Sequence, residues 1–322
     1  MLIADHQSIA IAHAVEEGFA KIPKRLPSWL FYDEAGDKIF QKIMRMPEYY
    51  LTGCEYEILN TQKENLRQHF TGDGSIFDLI EFGAGDGLKT EILLRHFSEQ
   101  HTSFQYMPVD ISSSVLDQLT ERLLGAVPSL SIQPVNKPYD EAIVSIQERD
   151  HNRKVYLFLG ANIGNFIPAD AEHFIATIAA SMEPGDQLLI GFDLKKDPRL
   201  VQAAYDDPHG ITRDFNLNLL ARLNRELGAD FQRDQFTHYP YYDPETGMTK
   251  SYLVSMNDQD VHIEALHKTI HFKRWEIIHT EVSQKYDVAM IEKLAARTGL
   301  EITQYYYDRK YYFTDVLFRK KS

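Results

Sequence analysis

The residues Glu81-Phe82-Gly83-Ala84-Gly85-Asp86-Gly87 make a glycine-rich turn between an apolar run and a helical pattern. Where no Cβ intervenes, backbone N–H groups and the start of the next helix can approach a ligand closely. The spacing is G-x-G-x-G, because Leu88 stands where the dinucleotide pattern would place its third glycine. Asp110 ends the next apolar run. A carboxylate there can accept hydrogen bonds from both hydroxyls of a ribose, or cap the helix that begins near Ser113. Glu81, at the end of its run, can face a cation or stand in solvent. Taken alone, such a turn serves chain reversal as readily as a cofactor.

These residues need elements to hold them. Residues 76–82 (IFDLIEF) read as a strand, and residues 89–97 as a helix with Ile92, Leu93 and His96 at helical spacing. Residues 104–109 are a second strand and 113–124 a second helix. Residues 154–159 (KVYLFL) are apolar almost throughout, as buried parallel strands are. They lead through Gly160–Asn165 into a helix capped near Asp170 and stopped at Pro184-Gly185. Residues 187–192 (QLLIGF) are a further strand, so the middle of the chain reads as an α/β fold with a doubly wound parallel sheet. After a helix over 288–297, ended at Gly299, residues 301–307 and 311–318 read as an antiparallel hairpin linked by Asp308, Arg309 and Lys310. A parallel sheet finished in this way is the signature of class I methyltransferases, with a Rossmann-like core, rather than of nicotinamide dehydrogenases. The hairpin and the G-x-G-x-G spacing favour S-adenosylmethionine, whose sulfonium and amino-acid end replace a pyrophosphate. Residues 1–57 and 195–285 fall outside this rhythm. They carry amphipathic helices, then LVQAAYDD and NLNLLARLNREL, then the strand-like KSYLVSM and VHIEAL. The expected partition is a methyltransferase domain of residues 58–194 and 286–322, and a second, discontinuous substrate-binding domain of residues 1–57 and 195–285.

Composition narrows the function class. The 322 residues carry 34 Lys+Arg against 47 Asp+Glu, a formal charge of −13, and no basic stripe offsets the acidic surplus. Nucleic acid is therefore not an expected partner. No apolar run approaches the roughly 18 residues that a membrane span needs. The first twenty residues carry Asp5, Glu16 and Glu17 in place of a basic start and an apolar stretch, so neither a secretory signal nor a membrane association is expected. Cys54 is the single cysteine, which excludes an intrachain disulfide or a cysteine zinc cluster and suits a reducing compartment. A cytoplasmic, monomeric enzyme acting on a small molecule is the expectation.

Five segments make the reading specific. They are LPSWLFYDEAGDKIFQKIMRMPEYYLTGCEYEIL from Leu26, IEFGAGDGLKTEILL from Ile80, FLGANIGNF from Phe158, the run from Gly191 to Asp230 containing AYDDPHGITRDFNLNLLARLNREL, and IHTEVSQKYD from Ile278. Together, and in this order, they resemble the ergothioneine-pathway histidine Nα-methyltransferases, which use S-adenosylmethionine to trimethylate the α-amino group of histidine and so form hercynine. The resemblance spans nearly the whole chain. By position it implies cofactor contacts at Tyr32, Gly83, Lys89, Asp110 and Tyr139. It implies an amino-acid pocket of Phe40, Tyr49, Gly160, Asn165, Tyr205, Glu281 and Ser283.

The chemistry asked of these positions is an in-line displacement, in which the enzyme holds nucleophile, methyl carbon and leaving sulfur collinear. The α-amine must be neutral to attack. A nearby full anion would raise its pKa and keep the proton on, so hydroxyls and carbonyls suit the amine better than carboxylates. Tyr32 and the Gly160 carbonyl are the candidates for steering it, with Asn165 and Tyr205 holding the α-carboxylate. Glu281 and Ser283, two apart in a strand, project from one face. A carboxylate beside a hydroxyl can grip both nitrogens of an imidazole.

Two departures from the family pattern bear on this site. Ser251 stands where the mycobacterial members carry a methionine lining the substrate pocket, which bears on substrate choice and keeps tryptophan or tyrosine as the alternative substrate. Pro138-Tyr139 replaces an Asp-Phe pair near the adenine, leaving Lys137 or the backbone for that contact. His262, His267 and His271 lie in a strand-like segment without a completing carboxylate pattern, so no metal site is expected.

Overall fold

A computed structural model describes residues 6–72, 74–148 and 152–321. The chain divides into two compact units, Met1–Tyr50 with Lys196–Ser283 and Leu51–Lys195 with Gln284–Ser322. Residues 51–57, expected with the N-terminal segment, belong to the long helix Tyr50–Thr71.

The second unit is built on seven strands: β1 (Phe77–Phe82), β2 (Phe104–Asp110), β3 (Val135–Asn136), β4 (Arg153–Phe158), β5 (Gln187–Asp193), β6 (Leu300–Tyr307) and β7 (Phe313–Lys320). Their order is β6-β7-β5-β4-β1-β2-β3. β3, β2, β1, β4 and β5 run parallel, while β7 pairs antiparallel with both β5 and β6. Every residue of β1 is buried, as expected of a parallel strand covered on both faces. On one face Ile80, Phe82, Tyr156 and Phe158 pack with Phe174, Ile175 and Ile178 of helix Pro168–Ser181. On another patch of the core, the Phe70, Phe77, Phe97 and Phe104 rings meet at centroid distances of 5.7–6.5 Å. The chain order reverses between β1 and β4, so the turns after these two strands flank the switch point where ligands of open α/β sheets bind.

The helix boundaries follow local chemistry. Ser112 caps Ser113–Ala126 by accepting the Val115 N–H, and Asp287 caps Val288–Thr298 by accepting that of Met290. The terminal hairpin forms with a five-residue link, where three were expected. The Asp308 carboxylate accepts the N–H groups of Lys310, Tyr312 and Phe313, which winds residues 308–312 into a side-chain-anchored loop and delays the return strand.

The first unit holds a four-stranded sheet in the order Lys24–Arg25, Ile277–Gln284, Met248–Ser255, Phe236–Asp243. Met248–Ser255 alternates half-buried and buried, the mark of a sheet with one face on a core. Helix Ile211–Leu227 buries Phe215, Leu219, Leu220, Leu223 and Leu227 at helical spacing. The Asp207 carboxylate accepts the N–H groups of Ile211 and Thr212 at its start. Helix Pro198–Tyr205 is tied to strand Phe236–Asp243 by Gln202, which donates to the Pro240 carbonyl and accepts the Tyr242 N–H, both at 3.1 Å. No helix among the described residues is long and apolar enough to cross a membrane.

Candidate active site

The glycine turn follows β1 as the sequence suggested. Gly83 has φ +68°, and a Cβ there would stand 2.6 Å from the Tyr139 hydroxyl, so both conformation and space demand glycine. A Cβ on Gly85 would meet nothing nearer than the Gly83 carbonyl at 4.0 Å, which leaves an open cradle beside the turn. Asp110 is not the helix cap, since Ser112 takes that place. Its carboxylate accepts the Ser112 N–H at 3.0 Å and the Gly85 N–H, joining the end of β2 to the glycine turn. Burial pushes its pKa up, opposed by these backbone donors.

Glu81 is not a solvated strand end. It lies 4% exposed behind the turn and accepts the Thr90 hydroxyl at 2.6 Å and the Tyr106 hydroxyl. Burial pushes its carboxyl up to about 7 against the pull of those two donors. A carboxyl raised in the folded state above its usual 4.5 stabilises fully below that value, and its contribution is lost as pH rises through about 7. Glu81→Gln keeps the shape and removes the titration. The variant is therefore expected to gain stability relative to wild type as pH rises from about 5 to 8. Denaturant melts across that range check this, and a pH-independent gap between the two proteins would contradict it.

The turn after β4 carries the next group. Gly160 has φ +78° and donates its N–H to Glu55 Oε1 at 2.7 Å. Lys89 pairs with the other oxygen of the same carboxylate. Burial works to lower the Lys89 pKa, while the Glu55 carboxylate bonded to it holds it above the usual range. Asn165 closes the short helix Asn162–Asn165 and is half-buried. Tyr139 packs its ring between Phe82, Phe158 and Phe174 at 5.4–6.0 Å, with its hydroxyl under Gly83. Two residues that sequence reasoning did not single out belong to this group. Asn162 places its amide 3.3 Å from the Cβ position of Gly83 and 3.6 Å from that of Gly160. Glu55 lay inside a quoted segment with nothing to mark it as a partner of residues 34 and 105 positions away.

In the first unit Tyr32, Phe40 and Tyr49 form an aromatic row. Tyr32 meets Phe40 at 5.6 Å and Phe40 meets Tyr49 at 6.2 Å, both edge-on. The Tyr32 segment is fixed by buried Arg222, which donates to the carbonyls of Leu30 at 3.0 Å and Tyr32 at 3.1 Å. Asp33 caps helix Glu34–Ile43 through the Gly36 N–H and accepts the Asn218 amide at 2.8 Å. Tyr49 packs in turn against the cluster of Val201, Ala204, Tyr205 and Tyr242.

That cluster leads to the strand pair. The Tyr205 hydroxyl donates to Ser283 Oγ at 2.8 Å, and Ser251 Oγ lies 3.5 Å from Glu281 Oε2. Ser283 and Ser251 are buried and Glu281 is half-buried. Thr280, beside Glu281 in the strand Ile277–Gln284, ties it to its neighbours by donating its hydroxyl to the Asn216 side chain and to the Ser251 carbonyl. His279, two residues before Glu281, was also passed over by sequence reasoning. Burial, with Arg25 and Lys250 nearby, pushes its imidazole down to about 4, so it stands neutral next to Glu281. At 3.5 Å the Ser251 contact is long, so Ser251→Ala is expected to cost under about fivefold in kcat/KM for the bound amino acid. Steady-state kinetics test that figure. His262 and His271 stand on the hairpin Gln259–Ile263 and Lys268–Phe272, with His271 bonded to Asp260 at 2.8 Å.

Residues 11–320 match the family model described as histidine-specific methyltransferase, SAM-dependent. The chain belongs to this family. It is 34% identical over 304 residues to the histidine N-alpha-methyltransferase of Mycobacterium tuberculosis, covering 94% of this chain and 93% of that protein. It is also 34% identical to the histidine N-alpha-methyltransferase of Mycolicibacterium smegmatis, covering 95% and 94%. Ergothioneine biosynthesis protein 1 of Schizosaccharomyces pombe is 29% identical over 243 residues, which are 74% of this chain and 31% of that longer protein. The family and the strand order together make the sheet unit a class I, S-adenosylmethionine-dependent methyltransferase fold.

Proposed function

We propose that this protein transfers three methyl groups in succession from S-adenosylmethionine to the α-amine of L-histidine, giving hercynine. The observation that carries this reading is the match to the histidine-specific family over residues 11–320. The sheet unit takes the methyl donor, and the unit of Met1–Tyr50 with Lys196–Ser283 takes the amino acid. The donor fits the residues present. The open space at Gly85 admits a ligand against the glycine turn, and Asp110 beside it is an acceptor for two vicinal hydroxyls. When bound, the sulfonium supplies an electrophilic methyl.

The residue roles follow from chemistry. Glu281 accepts a ring N–H of the imidazole. Ser283, polarised by the Tyr205 hydroxyl that donates to it, gives its own proton to the other ring nitrogen. A phenol or indole offers a single donor and no second ring nitrogen for the Ser283 hydroxyl, at about 1–3 kcal/mol for each group left unsatisfied. Tyr32 and the Gly160 carbonyl steer the α-amine and Asn165 holds the carboxylate, the Tyr205 hydroxyl expected beside it being given to Ser283; none of the three adds an anion that would hold the amine protonated. Phe40 and Tyr49 wall the pocket, and Tyr139 and Lys89 complete the donor site. The same proposal holds that the enzyme works in the cytoplasm and as a monomer, which fits its single, buried cysteine in the first respect; sedimentation tests the second.

The test counts methyl transfer. Purified protein with histidine is expected to release three equivalents of S-adenosylhomocysteine per histidine and to leave a product heavier by three methyl groups. A product that stops at one methyl, or untouched histidine beside methylated tryptophan or tyrosine, would overturn the reading.

A further inference from the structure

The sheet unit contains a buried ionic cluster that the roles above leave unexplained. Glu55 and Asp315 are both 0% exposed. Glu55 reaches from helix Tyr50–Thr71 to accept the Gly160 N–H at 2.7 Å with one oxygen and Lys89 Nζ with the other. It therefore ties together two turns on either side of the switch point, one after β1 and one after β4. Lys89 Nζ lies 3.3 Å from where a Cβ on Gly160 would stand, so lysine, carboxylate and turn are in mutual contact.

Asp315 sits behind Glu55. The antiparallel register places Asp315 of β7 opposite Gly191 of β5. A Cβ on Gly191 would fall 2.4 Å from Glu55 Oε1 and 3.1 Å from Asp315 Oδ1, so the glycine clears the space the two carboxyls share. Neither Asp315 oxygen meets an N–H or O–H donor, and its hydrogen-bonding neighbour is the Glu55 carboxyl itself. Two adjacent buried carboxyls facing one lysine cannot both carry charge cheaply, so one proton joins them. Burial, then the Glu55 charge, drives that proton to Asp315. Asp315 is thus a donor aimed at Glu55, which leaves the Glu55 carboxylate charged toward Lys89.

We propose that Glu55, seated by Asp315, is the positioning residue that fixes Lys89 for the methyl donor while holding the Gly160 turn whose carbonyl steers the amine. Holding the Gly160 N–H sets where the rest of that left-handed residue points. Anchoring the ammonium keeps a flexible four-carbon side chain from swinging. This rests on the reading of Lys89 as a donor contact.

The test compares four variants by calorimetric binding of S-adenosylhomocysteine, by KM for histidine and by thermal melting. Glu55→Gln keeps the acceptor for Gly160 but loses the charge that holds Lys89. Its Kd for S-adenosylhomocysteine is expected to rise about tenfold, with histidine KM moving less than about twofold. Asp315→Leu is expected to match it, because the donor to Glu55 is gone. Asp315→Asn, whose amide still donates, is expected to bind within about threefold of wild type. Glu55→Asp, too short to span both partners, is expected to weaken donor binding as Glu55→Gln does and to raise the histidine KM as well, because the Gly160 N–H loses its acceptor. Should Asp315→Leu not fold, the Glu55→Gln and Asp315→Asn pair decides. Wild-type Kd in folded Glu55→Gln, or equal losses for both ligands in that variant, would overturn the proposal. Wild-type protein that binds no S-adenosylhomocysteine at all would instead overturn the donor reading beneath it, and is seen before any substitution is made.

Discussion

Replacing Glu281 with alanine is expected to lower kcat/KM for histidine by about 10- to 150-fold while leaving the affinity for S-adenosylhomocysteine within about twofold. The figure is the worth of one hydrogen bond to a charged group, about 1.5–3 kcal/mol. The split between the two ligands follows from placement. Glu281 belongs to the strand Ile277–Gln284 of the first unit, and its carboxylate lies 3.5 Å from Ser251 Oγ of that unit. Glu281→Gln should recover little, because a primary amide can turn its oxygen to the ring N–H but brings two further donors into a site that already has Ser283 and Tyr205 as hydroxyl donors. Steady-state kinetics on both variants, with calorimetry for the donor product, measure this. Equal losses for histidine and for S-adenosylhomocysteine would make Glu281 a structural residue.

Asp110→Ala is expected to have the larger effect, raising the Kd for S-adenosylhomocysteine by on the order of 10²–10⁴. Two charge-assisted hydrogen bonds to a ribose are worth about 3–6 kcal/mol together. The aspartate also holds the Gly85 and Ser112 N–H groups, so its loss frees the glycine turn as well. Asp110→Asn keeps one acceptor oxygen and should fall between alanine and wild type. A Kd within threefold of wild type for Asp110→Ala would remove Asp110 from the donor site. In that event its hydrogen bonds to the turn would be its whole role.

The sheet was legible because its signals are local. IFDLIEF, KVYLFL and QLLIGF are each apolar enough to be read as buried strands, and Gly83, Gly160 and Gly299 mark the turns and stops between them. The strand that carries Glu281 and Ser283 was legible too, from the residues IHTEVSQ. What lay hidden was non-local. Nothing near Glu55 in sequence tells that its carboxylate meets Lys89 and Gly160, because the contact is made by helix Tyr50–Thr71 crossing two turns. Asp315 was equally silent, its environment being set by Gly191 on a neighbouring strand. Arg222 lies in the stretch NLNLLARLNREL with nothing local to mark it, and its guanidinium is buried against the carbonyls of residues some 190 positions earlier. The hairpin link was misjudged for a local reason, the three N–H groups gathered by Asp308. Sequence periodicity reports which face of an element is apolar, and it does not report which polar side chain will find another across the fold.

The most direct measurement is a competition. The enzyme is given an equimolar mixture of the twenty protein amino acids with a methyl-labelled donor, and the products are separated and weighed. The account predicts label on histidine alone, with three methyl groups on its α-nitrogen and none on the ring. Label on tryptophan, tyrosine or any other amino acid in place of histidine, or on an imidazole nitrogen, would contradict it.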